Sequence, residues 1–183
     1  KVYGARFVAH VALEIFNGGV IKSSTGDNRL ITSFGIFTLP AHSNASDVTV
    51  KAATIRINGN GAAVPTGILS HSFSNNIGNV GNVDVDATGD IALLNGGTIS
   101  SAALSSGNSG ALKVSGGSIT INGQGNNLTG IISDSKSTTG NVGTFDVAAK
   151  GDLSITNGGM IISGKGSNSS VGLIKVSADN ITI

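Results

Sequence analysis

The 183 residues include 28 glycines, 2 prolines, no cysteine and no tryptophan; they suffice for one domain, and glycine without a Gly-X-Y period excludes collagen. A hydrophobic fraction of 39% argues against disorder, while 11% charged residues, a net charge of +1 and no basic stripe give a nucleic-acid partner no electrostatic foundation. The longest apolar run, Phe7 to Phe16, is interrupted by His10 and Glu14; it is too short to span a bilayer, so no membrane insertion is expected, and it lacks the flanks of a signal peptide.

The chain opens with two alternating segments, Ala5/Phe7 and Leu13/Ile15, that end at Asn17-Gly18. The next stretch, Gly26 to His42, departs from the pattern that follows. Asn17 to Asn58 is 41 residues, whereas the same step from Asn95 to Asn122 takes 27, so about fourteen residues are extra. The extra segment holds Arg29, Phe34, Phe37 and Pro40 in a chain with few aromatics. We read it as a hairpin or loop outside the coil and as the ligand-contact loop, with Arg29, Phe34 and Phe37 as its contact residues, since loops that break a repeat commonly host binding. A cap over the tube end is the alternative.

From Val48 onward one phrase repeats about every thirty residues. A first strand carries Val48/Val50, Val83/Val85, Leu112/Val114, Phe145/Val147 and Ile174/Val176. A second carries Ile55/Ile57, Ile91/Leu93, Ile119/Ile121, Leu153/Ile155 and Ile181/Ile183. A third carries Leu69, Ile99, Ile132 and Ile162, each followed by serine. Asn-Gly recurs at Asn17, Asn58, Asn95, Asn122 and Asn157, in two alternating turn forms, so that the true unit is a pair of coils 64 or 62 residues long. The longer corner between first and second strands carries Gly89-Asp90 or Gly151-Asp152, a pair suited to positive φ.

Three short strands per repeat predict an all-β fold, a right-handed parallel β-helix of about five to six coils in a single domain spanning residues 1–183, with 26–42 as an insertion. Inward aliphatic residues stack like on like, at ~1.5–3 kcal/mol for each side chain buried. The outward column Thr49, Asp84, Lys113, Asp146, Lys175 alternates in sign and favours the correct register. The chain opens without Met and stops at Ile183 midway through a repeat, so it reads as a piece of a longer protein.

Leu153-Ser-Ile-Thr-Asn-Gly-Gly-Met-Ile-Ile-Ser163, a Ser/Gly/Asn loop, Gly-Asn-Val-Gly and a new strand resemble the filamentous-haemagglutinin-like exoproteins of two-partner secretion. The resemblance covers about Ala5 to Ile183 apart from Gly26–His42, and autotransporter passengers look similar. It implies a large β-helical adhesin or toxin-delivery stalk of a Gram-negative bacterium, secreted across the outer membrane by a β-barrel partner and displayed extracellularly at the cell surface. That family's secretion domain carries Asn-Pro signatures. No Asn-Pro pair occurs here, which places the fragment outside such a region.

The search for chemistry favours structure over catalysis. Asp84, Asp86 and Asp146 form the best carboxylate group, with Lys113 between two of them as a nominal lyase base; we read them as a charge ladder. His10, His42 and His71 lack metal-ligand spacing and read as ordinary surface or turn residues. No serine stands out as a nucleophile, and no cofactor or metal is expected. Sequons occur at Asn44, Asn127, Asn168 and Asn180. The expectation is therefore a non-enzymatic adhesin or exoprotein shaft whose partners are surface glycans, proteins or copies of itself. A polysaccharide-acting lyase or hydrolase and a self-assembling extracellular matrix fibre are the alternatives.

Overall fold

The computed structural model describes residues 5–8, 11–25, 30–32, 35–37, 44–72, 78–104, 106–124, 128–136, 140–165 and 170–183. Strands follow one another in threes. The first coil has β1 (Ala5–Val8), β2 (Ala12–Phe16) and β3 (Val20–Thr25), after which β4 (Leu30–Thr32) and β5 (Gly35–Phe37) pair antiparallel with each other. The second coil is β6 (Val48–Ala52), β7 (Thr54–Asn58) and β8 (Thr66–Ser72), and the third is β9 (Val83–Ala87), β10 (Ile91–Leu94) and β11 (Gly97–Ala103). The fourth comprises β12 (Leu112–Gly116), β13 (Ile119–Asn122) and β14 (Thr129–Ser135). Then come β15 (Phe145–Ala149), β16 (Asp152–Thr156) and β17 (Gly159–Lys165), followed by β18 (Ile174–Ser177) and β19 (Asn180–Thr182). Like strands stack in parallel into ladders of six, six and five, which is a parallel β-helix with three strands per coil.

Period-two alternation decides what faces in. In the first ladder Val50, Val85, Val114 and Val147 lie in register and are fully buried. The second ladder stacks Ile55, Ile91, Ile119 and Leu153 in the same way. Ala5 and Phe7 align with Val48 and Val50, and Leu13 and Ile15 with Ile55 and Ile57, so the N-terminal strands belong to the same columns. Ile174, Val176, Ile181 and Ile183 keep the inward columns of their ladders or their continuation, yet they are exposed because no described coil lies beyond them. The outward register Thr49–Asp84–Lys113–Asp146–Lys175 is as the sequence predicts.

The third ladder corrects the sequence reading. Its inner column is Ile21, Ile68, Ile99, Ile131 and Ile161, not Leu69, Ile99, Ile132 and Ile162. Adjacent apolar pairs (Ile68-Leu69, Ile131-Ile132, Ile161-Ile162) hide the phase, and only Ile99 has a serine as its next neighbour. The inward serines are therefore Ser70, Ser101, Ser133 and Ser163, while Ser100 joins the outer column of Leu69, Ile132 and Ile162.

Side chains lock the corner between third and first strands. Asn44, Asn79, Asn108 and Asn141 each accept, at Oδ1, the backbone N–H of the equivalent position one coil on, at 2.7–2.9 Å. At about 1 kcal/mol net for each bond, this asparagine ladder adds to the backbone bonds, such as Val80 N to Asn108 O, that hold the coil spacing at this corner. The Gly89 corner differs from expectation, because Gly89 and Gly151 do not adopt positive φ. Their value is close approach instead: Gly117 N donates to Gly89 O at 2.6 Å and Gly151 N to Gly117 O at 2.8 Å, a glycine-lined backbone ladder.

Candidate functional site

The turns between second and third strands build the site. Two residues separate β10 from β11 and β16 from β17, whereas seven separate β7 from β8 and six separate β13 from β14. In the short form Asn95 and Gly96 are both left-handed, at φ 43° and 91°, and Asn17-Gly18 and Asn157-Gly158 behave alike. In the long form the left-handed pair is Asn60-Gly61, and Gln124 takes the corresponding place, so Asn58 and Asn122 end their strands with ordinary φ. The five Asn-Gly pairs are thus not equivalent. Asn58 and Asn122 stand level with Leu94 and not with Asn95.

Each long coil also clasps the short turn before it. Thr66 Oγ1 accepts from Gly18 N, and Thr129 Oγ1 from Gly96 N, both at 2.7 Å. A repeated Thr-Gly-Ile (66–68 and 129–131) supplies the clasp, and no expectation from the sequence included it.

A short turn between two long ones leaves a cleft of about 340 Å³ on the outer face of the third ladder. Its floor is the small face of β11, namely Thr98, Ser100 and Ala102. Leu69 and His71 of β8 form one flank and Ile132 and Asp134 of β14 the other, each in register with the floor. Val64 and Leu128 stand on the two rims, with 59% and 48% of their surfaces exposed. The far end carries Leu104 and Lys136. The flanking strands are two ladder steps apart, ~9.6 Å. Apolar groups crowd the end near the turns, while the other end mixes the polar His71, Asp134 and Lys136 with Leu104.

His71 is the residue that spacing alone undervalued, for it is no ordinary surface group. Its Nε2 lies 3.0 Å from Ser100 Oγ across the ladder. Burial, reinforced by the Lys22 ammonium of β3, holds its pKa down to about 4 from an ordinary 6.5. The ring is neutral at pH 7. Ala102 stands between His71 and Asp134 in the row, and a Cβ on Gly164 would meet Asp134 Oδ1 at 2.9 Å, so that oxygen reaches toward β17.

The other sequence candidates are not in this cleft. Asp84, Asp86 and Asp146 sit on the first ladder, where Asp86 Oδ1 accepts from Ser115 Oγ at 2.8 Å. Arg29, Phe34, His10 and His42 lie outside the described residues, as do Asn127 and Asn168; Phe37 is in β5. Asn44 and Asn180 are exposed but engaged, Asn44 in the asparagine ladder and Asn180 Nδ2 on Asp152 Oδ1 at 2.8 Å. Among the described residues no cluster of three or more His, Cys, Asp or Glu is placed to hold a metal ion, and no helix is long and apolar enough to cross a membrane. Comparison with known proteins finds no matching family model, curated protein or solved structure.

Proposed function

We propose that the chain is a shaft segment of a secreted, cell-surface adhesin or exoprotein that recognises its target through the cleft on the third ladder. The observation that carries the reading is the pairing of a rigid scaffold with a recognition surface. Buried ladders hold the coils, and two exposed aliphatic residues, Val64 and Leu128, flank a floor of small side chains. Exposed apolar rims around a trench with a few convergent polar groups fit a binding site. The described lining contains no Phe, Tyr or Trp to serve as a sugar platform, and the trench is about as wide as one extended chain needs. An extended protein segment is the favoured ligand over a glycan. Its secretion through an outer-membrane partner belongs to the same proposal and follows from the family resemblance of the repeats.

The test compares the parent with Ala102→Trp, which fills the floor, on arrays of extracellular peptides and of glycans. We expect peptide binding by the parent and its loss in the variant at an unchanged melting temperature. Binding to neither array, or binding untouched by the tryptophan, overturns the reading.

The His71–Ser100 contact favours one rival, a hydrolase with Ser100 as nucleophile. A base held down to about pKa 4 is poorly matched to neutral-pH proton abstraction. Ester or polysaccharide turnover that Ser100→Ala abolishes in an intact fold would establish the rival.

A further inference from the structure

The long turn between β7 and β8 holds an Asn-Gly pair beyond those that mark the repeat, Asn60-Gly61, and such a pair is a chemical liability as well as a turn signal. The glycine amide nitrogen can attack the preceding asparagine Cγ. A new N–C bond forms, the nitrogen gives its proton to water, and the side-chain nitrogen takes one up and leaves as ammonia. Water then opens the succinimide to aspartate or to its β-linked isomer. A glycine N–H held in a hydrogen bond must leave it before the attack.

Four Asn-Gly pairs of the first four coils have that amide held by the coil that follows them. Gly18 N donates to Thr66 Oγ1 and Gly96 N to Thr129 Oγ1, each at 2.7 Å, while Gly59 N donates to Leu94 O and Gly123 N to Thr156 O, each at 3.1 Å. Gly61 N has no partner among the described residues, although the third coil stacks directly on the second. The register gives the reason. Gly97 stands level with Thr66, so the coil beyond the Asn60 turn presents a glycine at the place from which Thr66 and Thr129 clasp the short turns. The neighbouring bonds close the turn without covering its amide: Ala62 N donates to Gly59 O at 2.8 Å and Asn60 N to Asn58 Oδ1 at 2.9 Å. Of the five pairs only Asn60-Gly61 is exposed at both residues, and a Cβ on Gly61 would meet nothing within 4 Å.

We propose that Asn60 is a self-modification site of this chain, converting spontaneously to aspartate and isoaspartate, while the intercoil bonds to Gly18, Gly59, Gly96 and Gly123 guard the other four asparagines. The product changes the rim of the cleft. Residues 59–65 carry no charge, and the reaction places a carboxylate among them, on the loop that bears Val64. Isoaspartate also adds a backbone carbon inside the turn that the Ala62–Gly59 bond closes. Gln124 holds the corresponding place in the other long turn, so the site belongs to one rim and not to both.

The experiment holds the folded chain at mildly alkaline pH and body temperature and maps amide-to-acid exchange by peptide mass spectrometry. Asn60 should convert at least about fivefold faster than Asn17, Asn58, Asn95 and Asn122, the factor that one net hydrogen bond supplies. In denaturant the five rates should converge, since glycine follows each asparagine. Thr129→Val should raise Asn95 toward the rate of Asn60, and Thr129→Ser, which keeps the hydroxyl, should not. Equal rates at the five sites in the folded chain, an order that persists in denaturant, or no acceleration at Asn95 in Thr129→Val overturns the proposal. Should Thr129→Val loosen the whole fold, Asn58 and Asn122 accelerate too, and the order of rates in the folded and denatured parent decides alone.

Discussion

Gly130→Ala is the substitution for which the structure predicts an effect out of proportion to one methyl group. Gly130 is the second residue of β14, at φ +157°, and an added Cβ would fall well inside contact with the Met160 carbonyl oxygen of β17. That neighbour is backbone in a ladder, so it cannot swing aside. Clearing the clash means opening the β14–β17 pairing near Thr129–Ile131. We assign about 2 kcal/mol to weakened ladder hydrogen bonds and ~1–3 kcal/mol to the strained φ, together ~3–5 kcal/mol. Gly61→Ala is the control: φ is +72° but nothing lies within 4 Å of the new Cβ, so only the left-handed cost of ~1 kcal/mol applies. For a chain of this length the melting temperature should fall by roughly 10 °C in Gly130→Ala and by about 2–4 °C in Gly61→Ala. Thermal melts by circular dichroism read the difference, and hydrogen exchange should localise it to β14 and β17. Equal shifts in the two variants would refute the close-approach argument.

Val114 is fully buried in the first ladder, so Val114→Asp places a carboxylate among valines and should unfold or proteolytically sensitise the chain, whereas exposed Lys113→Ala should cost under ~1 kcal/mol. Indistinguishable melting of these two variants would mean that inward and outward faces are misassigned. His71 has a folded pKa of about 4, below its unfolded 6.5, so the unfolded state binds a proton first as pH falls. Stability should therefore decline from pH 6.5 to 4, by up to ~3 kcal/mol, and His71→Gln should remove that part of the slope. An unchanged acid slope in His71→Gln would show that the cleft does not hold the ring neutral. Denaturant midpoints measured from pH 7 to 4 carry the test.

The first two ladders were legible because each strand alternates aliphatic and polar residues without interruption, as in Val83-Asp84-Val85 and Ile91-Ala92-Leu93. The third was legible only as a strand. Ile131-Ile132 and Ile68-Leu69 bury one aliphatic residue in the tube and place the other outside in the cleft, so consecutive apolar residues erase the phase. The cleft escaped sequence reasoning for a related reason. His71 and Ser100 are 29 residues apart and meet only because β8 and β11 are neighbours in the ladder, where His71 stands level with Ala102 and reaches diagonally to Ser100. The alternation of turn lengths was visible, but its consequence, a trench beside the clasped Asn95-Gly96 turn, needs the turns in three dimensions. Gly89 misled because glycine signals two different things, positive φ and close approach, and only coordinates separate them.

The same alternation separates the residues that hold the coils from those that line the cleft. A long coil does two jobs at its Thr-Gly-Ile start: the threonine clasps the preceding short turn, and the isoleucine enters the core column. Both are inward or intercoil tasks, and they leave the outward residues of the short coil outside the core columns, with Thr98 Oγ1 donating to Thr66 O at 3.3 Å and Ser100 meeting His71. Over β11 those residues are Thr98, Ser100 and Ala102, and over β17 the equivalent places are held by Met160, Ile162 and Gly164. A floor of small polar groups thus gives way to a bulkier apolar one two coils away, ~9.6 Å along the axis, with the isoleucine column beneath unchanged. If the cleft binds as proposed, substitutions at Ser100 and Ala102 should alter what it accepts while leaving the isoleucine column of the third ladder in place.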